Sequence, residues 1–587
     1  RITTNFTHTD RQAVYAHDAN GEPYAIAITN ATQPGQSRVI EKGTKNEFYT
    51  VNLFSDYSRQ LGDHYFKVMG GFNAEHQNVR TLSAWRDGII VPDLPTIDTS
   101  TEQDVAGGGY NHWATAGFFG RLNYNYKEKY LLEVNGRYDG TSRFMKDQRW
   151  NFFPSFSLGW NVARENFWKP LESVVNQFKL RGSWGELGNQ NTSNLYPFYE
   201  ILPVKSNSGN WLVNGGKTNT ADIPSLVSTL LTWERVRSFN VGFDFGAFSN
   251  RLTGSFDYFV RKTVDMVGPA PQLPLVLGIA PAIVNNADMK SYGFEIELSW
   301  RDRIGEVDYG VKFNLADAQQ KVVKYPNTTN AFNDWYAGKM SGEIWGYTSL
   351  GIAKTDEEMK EHLASLPNGG QNQLGNKWGA GDIMYADING DGKVDGGKGT
   401  LADPGDQRII GNSTPRYNFG LVLDASYKGF DVSIFFQGVG KRDYAPIVGT
   451  NGAVFWGAVN NIWQSMAMEE HFDYFRPEGH PMGANLNGYY PRPDFTSNKN
   501  HQVQTRYLQD ASYIRLKNLQ IGYTLPKQWI NKLHINRCRV YVSGDNLWTG
   551  TSLASMFDPE TLAAGDWGSG KTYPLSKVIS FGLNVNF

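Results

Sequence analysis

Apolar and polar side chains alternate with a strict period of two in many segments of this chain. In residues 292–301 one face would be apolar, with Tyr292, Phe294, Ile296, Leu298 and Trp300. The other would be polar, with Glu295, Glu297, Ser299 and Arg301. Segments 118–126, 130–139, with Val134 on its apolar side, and 252–261 repeat the pattern. Because successive side chains of a β-strand point to opposite faces, each segment is predicted to be a strand with one apolar and one wet face.

The lengths of the strands and of their connections favour one class of all-β protein. The segments run to about ten residues or more, which a tilted strand needs to cross a bilayer. Short turns alternate with long loops, and the loops are predicted at 78–112, 187–234, 264–287, 319–415, 441–510 and 549–574. Short periplasmic turns and long extracellular loops are typical of outer-membrane barrels. We therefore predict a transmembrane antiparallel β-barrel domain over residues 1–587, with every one of these loops extracellular.

The strand count predicts where the chain ends relative to the membrane. Roughly fifteen strands follow residue 46, and one more is predicted at the start of the chain. Counting from Phe48, the last strand, 575–587, runs toward the periplasm and ends in Phe587. The parity of the apolar positions reverses between Leu516 and Leu519, which predicts a β-bulge near Lys517.

Composition narrows the function classes. Aromatic residues make up 14% of the chain, with 17 Trp, 30 Tyr and 34 Phe, and a barrel in lipid displays such rings as interfacial girdles. The formal net charge of −2 gives no basic field, so we expect no nucleic-acid partner. A single cysteine, Cys538, excludes an internal disulfide framework and a cysteine-based zinc site.

Several motifs occur in a fixed order along the chain. They are Trp233-Glu234-Arg235, Phe239 to Asp244, Arg251 to Gly254, Tyr292 to Glu295, Gly381-Asp382-Ile383, Asp387 to Gly392, Arg408 to Asn412, Pro415-Arg416-Tyr417, Tyr513 to Asn518, Gly522-Tyr523 and Val542 to Leu547. No single motif is specific, but their order and spacing cover almost the whole chain. The set resembles the SusC/RagA family of TonB-dependent outer-membrane transporters.

The resemblance implies a barrel of 22 strands occluded by a plug, the later strands of which this chain would supply. It also implies TonB-driven import of a nutrient oligomer, a glycan or a peptide, through the outer membrane of a Gram-negative bacterium. The implied partners are a SusD-like surface lipoprotein and TonB, and a dimer of transporter–lipoprotein pairs is a further expectation. We recognise no plug, TonB box or N-terminal extension in this sequence, and several early strands are missing from it.

Three other functions fit a barrel of this kind. A passive porin of about 16 strands would need no TonB box or plug. A surface binding or structural protein would use the barrel only as an anchor. A barrel-embedded hydrolase would need a catalytic constellation, and the sequence shows neither paired carboxylates nor a legible Ser/His/Asp set, so we expect no enzyme.

One segment has the spacing of a calcium loop. Asp387, Asn389, Asp391, the carbonyl of Lys393, and Asp395 place oxygen atoms at alternate positions, with a glycine at the sixth. Position twelve is Lys398 where an EF-hand has glutamate, and Asp382, Asp403 or Asp406 would have to supply the missing oxygen. The alternative is a metal-free turn rich in Asn, Asp and Gly. Both interpretations stay open, and a bound Ca²⁺ would stiffen the loop.

The long loops suggest a partner surface. Loops 319–415 and 441–510 exceed ordinary strand connections, and such loops tend to be functional. We expect them to dock the lipoprotein; the alternative is that they fold inward and close the barrel mouth. Their aromatic residues would either stack on sugar rings or, as we favour, pack the loops together; with one from an earlier loop they are Trp211, Trp335, Tyr336, Trp378, Trp456 and Trp463.

Overall fold

A computed structural model of the chain contains one large antiparallel sheet of sixteen strands. The structure describes residues 2–11, 14–17, 23–26, 37–102, 104–192, 194–205, 207–269, 274, 276, 278–279, 281–446, 454–457, 467–494, 497–531, 534–562 and 572–587. The sheet strands are β1 Ile2–Arg11, β2 Arg38–Leu61, β3 His64–Asp87, β4 Asp104–Tyr126, β5 Tyr130–Thr141, β6 Trp150–Asn161, β7 Val175–Asn189, β8 Glu234–Ala247, β9 Leu252–Gly268, β10 Val284–Ile304, β11 Val307–Lys324, β12 Arg416–Tyr427, β13 Phe430–Lys441, β14 Tyr513–Thr524, β15 Arg537–Thr551 and β16 Val578–Asn586.

Each inner strand pairs with the strand before it and the strand after it in the chain, so the sheet is an up-and-down meander. The strand count agrees with the prediction of fifteen strands and one at the start. In this arrangement every second connection lies at the same end of the sheet. The last strand, β16, therefore finishes at the end that carries the short turns.

The short turns owe their form to a few residues in left-handed backbone conformations. The β12–β13 turn consists of Lys428 (φ 47°) and Gly429 (φ 92°), and the β4–β5 turn contains Lys127 (φ 50°) and Glu128 (φ 52°). Two successive positive φ angles match the right-handed twist of the paired strands. The connections at this end are 62–63, 127–129, 162–174, 248–251, 305–306, 428–429 and 525–536, and two of them contain short helices, at Val162–Arg164 with Asn166–Leu171 and at Lys527–Ile530.

The predicted β-bulge is confirmed. The register of β14 shifts against both neighbours, between Phe435 and Phe436 on one side and between Leu516 and Asn518 on the other. Lys517 is the extra residue, and its insertion returns Leu516 and Leu519 to the same face of the sheet.

The boundaries of the long loops need correction, most of all for the loop predicted at 78–112. Strands β2 and β3 pair continuously from Leu61–His64 to Arg38–Asp87, and β4 begins at Asp104, so this loop spans only 88–103. Beyond a bilayer both faces of a strand meet water, so the alternation that marks a strand disappears there. The other five loops are 190–233, 269–283, 325–415, 442–512 and 552–577.

The long loops contain small elements of their own. Helix α1, Asp356–Ala364, begins where the Thr355 hydroxyl accepts a hydrogen bond from the Glu358 N–H at 3.1 Å. The loop ribbons are Val14–His17 with Pro23–Ile26, Val204–Lys205 with Thr220–Ala221, Leu212–Val213 with Gly216–Lys217, Glu343–Gly346 with Arg408–Asn412, Ser349–Ile352 with Ile383–Tyr385, and Asp443–Tyr444 with Gln509–Asp510; the remaining 3₁₀ turns are Lys146–Gln148, Glu469–Phe472 and Thr505–Tyr507. No helix in the described ranges is long and apolar enough to span a membrane.

Candidate functional site

The sheet has one apolar and one polar face, and the strand register aligns each across neighbouring strands. Ile296 lies opposite Phe256 on β9 and Leu315 on β11. Glu297 lies opposite Ser255 and Asn314 on the same two strands. The paired positions of antiparallel strands share a face, so the alternation seen along single segments becomes two continuous surfaces.

Charged side chains on the polar face neutralise one another. The Arg181 guanidinium donates to the Asp257 carboxylate at 3.0 and 2.9 Å and to the Asp244 carboxylate at 2.8 Å. Asn123 donates to Glu133 at 2.6 Å, and Arg137 donates to Asp139 at 2.9 Å. Acidic and basic groups are interleaved, so the polar face is hydrophilic but carries no large patch of charge of one sign.

At the long-loop end, three loops form a common core, which we call the loop cluster. It joins loops 325–415, 442–512 and 552–577 around thirteen buried residues. These are Tyr347, Leu366, Ile383, Tyr385, Val394, Phe455, Trp456, Tyr490, Tyr507, Ala511, Leu553, Phe557 and Leu562. Burial of the phenol raises the pKa of Tyr385 well above its usual value, in keeping with a dry interior.

A buried ion-pair network ties two of these loops together. The Asp382 carboxylate, fully buried, accepts from Arg492 at 2.6 Å, from Lys499 at 3.0 Å and from Asn500 at 2.9 Å. Lys499 is itself only 1% exposed. Residues more than a hundred positions apart therefore hold loop 325–415 to loop 442–512. No sequence pattern predicts this partnership, because an aspartate and a lysine at that separation can meet only in the folded chain.

The third loop lies over the polar face of the sheet. Arg515 of β14, on the face shared with Gln437, donates to Asp558 at 2.8 Å, and Lys517 pairs with Glu560 at 2.7 Å. Loop 552–577 is thus anchored on the side of the strands where the polar side chains lie. The loops fold over that side rather than standing free of the sheet.

In the predicted calcium loop the side-chain oxygens accept hydrogen bonds from main-chain amides. Asp387 accepts from the N–H groups of Gly390 and Gly392 at 2.7 and 2.8 Å, Asn389 from Asp391 at 2.9 Å, and Asp391 from Lys393 at 3.1 Å. Among the described residues no group of three or more His, Cys, Asp or Glu is placed to hold a metal ion. Ca²⁺ binding therefore stays a prediction.

The fifth predicted calcium ligand, Asp395, has a different partner. The Lys393 ammonium lies 2.5 Å from the Asp395 carboxylate, and this contact lowers the pKa of Asp395. The buried Asp406 carboxylate, one of the predicted supplementary ligands, accepts from the N–H groups of Ile388 and Asp395 at 2.7 and 2.8 Å. Burial raises the pKa of Asp406, and the hydrogen bonds from these main-chain N–H groups oppose that rise.

The loop aromatic residues differ in burial. Trp456 and Tyr336 are buried, and Trp378 is packed against the loop cluster, as the packing interpretation predicts. Trp211 and Trp335 remain 62% and 40% exposed. Trp463 lies outside the described residues.

Loop 190–233 differs from the loop cluster because its apolar side chains lie on its surface. Its two ribbons form an arm with the apolar residues Trp211, Leu212 and Val213 near the tip, all at least half exposed. More exposed apolar residues follow the rest of the loop, namely Tyr199, Ile201, Leu202, Val204, Ile223 and Leu230. A concentration of exposed apolar side chains on one loop is a feature that protein-interaction sites share. The sequence singles out Trp211 of this loop as a residue that stacks on sugar rings or packs the loops, but it does not predict the exposed apolar residues around it.

Comparisons with known proteins agree with this architecture. A family model described as "TonB dependent receptor-like, beta-barrel" matches residues 1–547. The chain is 29% identical over 580 residues to TonB-dependent receptor P3 of Formosa agariphila, with 92% of this chain and 52% of that protein covered. It is 23% identical over 554 residues to TonB-dependent receptor SusC of Bacteroides thetaiotaomicron, with 92% and 50% covered. The chain therefore spans about half the length of these curated relatives.

A solved structure is similar over the whole chain. A structure of the RagAB peptide transporter superimposes with a TM-score of 0.76 at 20% sequence identity, covering 100% of this chain and 59% of that one. At this identity the likeness establishes the fold. The fold prediction, the later part of a large outer-membrane barrel, is confirmed.

Proposed function

Because the chain belongs to the family of TonB-dependent receptor-like β-barrels, which are outer-membrane transporters and receptors rather than enzymes, we propose that it supplies the later barrel strands of an importer. The cargo would be a nutrient oligomer, a glycan or a peptide. The observation that carries the proposal is the single sixteen-strand meander with one apolar and one polar face. The apolar face would contact lipid, and the polar face would line a wet passage.

In this proposal the two ends of the sheet face different compartments. The short turns and Phe587 lie in the periplasm, and the long loops lie outside the cell, as in outer-membrane barrels generally. TonB, using the proton-motive force of the inner membrane, would act on a plug that the complete protein supplies. The interleaved charges of the polar face, such as Arg181 between Asp244 and Asp257, would keep the passage hydrated without selecting cargo by net charge.

We further propose that a SusD-like lipoprotein covers the long-loop end, and that loop 190–233 is its main docking surface. Loops 325–415 and 442–512, which the sequence predicts to dock it, bury many of their aromatic residues in the loop cluster. Exposed apolar side chains, by contrast, are concentrated on the arm around Trp211. Interfaces between proteins are enriched in such aromatic side chains at their centres.

Uptake experiments test the import proposal. The full-length gene is expressed in its native host with and without TonB, and growth is measured on a panel of glycans and peptides as sole nutrients. Loss of growth on one nutrient both on deletion of the gene and on deletion of TonB is expected. Uptake that persists without TonB would instead identify a passive porin, and uptake that persists without the gene would favour a surface binding or structural protein.

Affinity purification tests the partner surface. The full-length protein, extracted from native outer membranes in mild detergent, is expected to bring down a lipoprotein of comparable abundance. The change Trp211→Ser together with Leu212→Ser should release it. Phe472→Ser, at an aromatic residue of loop 442–512 that is also more than half exposed, should not. Recovery of the barrel alone from wild-type membranes, with uptake intact, would show that no lid is needed.

A further inference from the structure

A cavity of about 430 Å³ lies at the long-loop end of β9, β10 and β11. Its lining is mostly apolar and includes Met266, Met289, Val322, Tyr325 and Trp335. Volumes of this size and a lining of hydrophobic and aromatic side chains are typical of small-ligand sites. The cavity therefore has the dimensions to accept a ligand group.

The register places this cavity on the polar face of the sheet. Val322 lies opposite Met289, and Met266 lies opposite Ala287, which is two residues from Met289 on the same strand. Met289 has the same strand parity as Glu295 and Glu297, so its side chain shares their face. The face of the sheet that would line the passage is therefore polar along these strands but becomes apolar at the long-loop end.

Loop packing does not account for the whole of this apolar surface. Loop 325–415 does run along β11, where the Val322 N–H donates to the Lys339 carbonyl at 2.9 Å, and Tyr336 is buried against it. Trp335, its neighbour, nevertheless remains 40% exposed beside the cavity. An exposed tryptophan beside an apolar cavity that is open within the described part of the chain is a surface that a ligand can cover.

The chemistry of the lining selects among ligands. A sugar ring could stack on Trp335, but among Met266, Met289 and Val322 its hydroxyl groups would lose hydration and find polar partners only at the edge of the cavity. An apolar side chain would gain from the same burial. Methionine is flexible and polarisable, so Met266 and Met289 would adapt to apolar side chains of different shapes.

Resting on the proposed import function, we propose that this cavity is a subsite for an apolar side chain of a peptide ligand. The two charged groups at its edge, Asp288 and Lys324, are of opposite sign and give it no preference for ligand charge. The subsite would favour peptides that carry an aliphatic or aromatic residue over polar peptides of the same length.

Binding of defined probes tests this subsite. The full-length protein, purified with any partner that accompanies it, is titrated with a fluorescein-labelled octapeptide containing two leucines, with a Gly/Ser octapeptide, and with labelled maltoheptaose. The leucine peptide is expected to bind at least about tenfold more tightly than the Gly/Ser peptide. Met289→Ser should abolish that preference, and Trp335→Ala, an exposed change in a loop, should reduce it without any risk to the barrel. Phe472→Ala is the matched control and should leave the preference unchanged.

Three outcomes would overturn the subsite: no preference for the leucine peptide, an equal preference in all variants, or maltoheptaose binding that Met289→Ser and Trp335→Ala weaken. The import proposal fails separately, through uptake that does not need TonB. If TonB-dependent uptake of some other nutrient persists while the peptide preference is absent, only the subsite is wrong. If the preference is present but uptake ignores TonB, only the import mechanism is wrong.

Discussion

The two ends of the sheet are held together by opposite means. At the short-turn end, ion pairs join successive turns in open solvent: Lys127 to Asp63 at 3.0 Å, and Lys428 to Glu306 at 2.7 Å, all with side chains 44–59% exposed. At the long-loop end, Asp382 and Lys499 form an ion pair that is almost completely buried inside the loop cluster. The same chemical contact therefore occurs in two very different dielectric surroundings.

The two ends therefore differ in how strongly the loss of an ion pair would destabilise them. Exposed ion pairs contribute little to the free energy of folding, since water and salt screen them. A buried pair is different, because removal of one partner leaves the other charge without compensation. The turns need only reverse the chain, and their geometry is set locally by residues such as Lys428 and Gly429. The loop cluster depends on contacts between segments that are far apart in the sequence.

The largest effect is expected from breaking the buried pair. Asp382→Ala removes the nearer carboxylate from the buried Lys499 ammonium and leaves only Asp494, at 3.8 Å. The change should destabilise the loop cluster by up to about 3–5 kcal/mol. The measurement is a urea titration followed by tryptophan fluorescence, because Trp456 lies in this core, together with limited proteolysis of loops 325–415 and 442–512. The barrel itself should stay folded, so that unheated and heated samples still migrate differently in denaturing gel electrophoresis. Unchanged fluorescence midpoints in Asp382→Ala would contradict the role given to this network.

Between the two ends, the two faces of the sheet are expected to differ in what an added charge costs. Leu298→Lys places a charge on the apolar face and should cost about 2–4 kcal/mol of barrel stability if that face meets the middle of the bilayer. Glu297→Lys, the neighbouring residue on the polar face, is the matched control and should cost much less. Urea unfolding in lipid vesicles measures both. Equal losses would show that the two faces are not divided between lipid and passage.

A buried histidine, His501, makes the stability of the long-loop end depend on pH. His501 lies 4.6 Å from the Trp456 ring, and neither of its ring nitrogens has a hydrogen-bond partner within the described chain. Burial lowers its pKa from 6.5 to about 4, although the nearby Asp494 carboxylate favours the charged form. As the pH falls, the unfolded chain therefore takes up the proton before the folded one does.

The loop cluster should thus keep its full stability above pH 6.5 and lose up to about 3 kcal/mol as the pH falls toward 4. Tryptophan fluorescence in urea, repeated between pH 7.5 and 4.5, checks this. His501→Phe should flatten the pH dependence, whereas His534→Phe, at an exposed position in the 525–536 connection, should not. A His501→Phe protein with the wild-type pH profile would exclude His501 as its source.

How far the sequence could predict this molecule differs between the same two ends. Within a membrane span, one face meets lipid and the other water, so alternation identifies the strands and even the extra residue Lys517 in β14. Beyond the span both faces are wet, and the extension of β3 to Asp87 left no alternation to detect. The loop cluster was harder still, since Asp382 and Lys499 lie 117 residues apart. The cavity lined by Met289 and Trp335 could not be predicted for the same reason, since its residues come from three strands and two loops.

Calcium would make the loop end more rigid than its hydrogen bonds alone do. If Asp387, Asn389, Asp391 and Asp395 bind Ca²⁺ through oxygens about 2.3–2.6 Å away, millimolar calcium should slow proteolysis of loop 325–415 relative to a chelator. Asp391→Asn should remove the effect, and Glu357→Gln on helix α1 of the same loop should retain it. Proteolysis that is independent of calcium in the wild type would leave the metal-free turn, with the main-chain hydrogen bonds of Asp387, as the correct interpretation.

The smallest effect is expected at the short-turn end. Glu306→Gln removes the partner of Lys428, but both side chains lie 59% exposed, so water takes over the solvation of the ammonium and no buried charge remains. The β12–β13 turn keeps its conformation because that depends on the positive φ angles of Lys428 and Gly429, not on the ion pair. We expect an unfolding midpoint indistinguishable from wild type, at low and high salt alike. Gly429→Val, by contrast, forces a β-branched side chain into a left-handed conformation and should lower the midpoint clearly. If Glu306→Gln destabilised the barrel as strongly as Gly429→Val, the ion pairs between turns, and not the local backbone, would hold this end together.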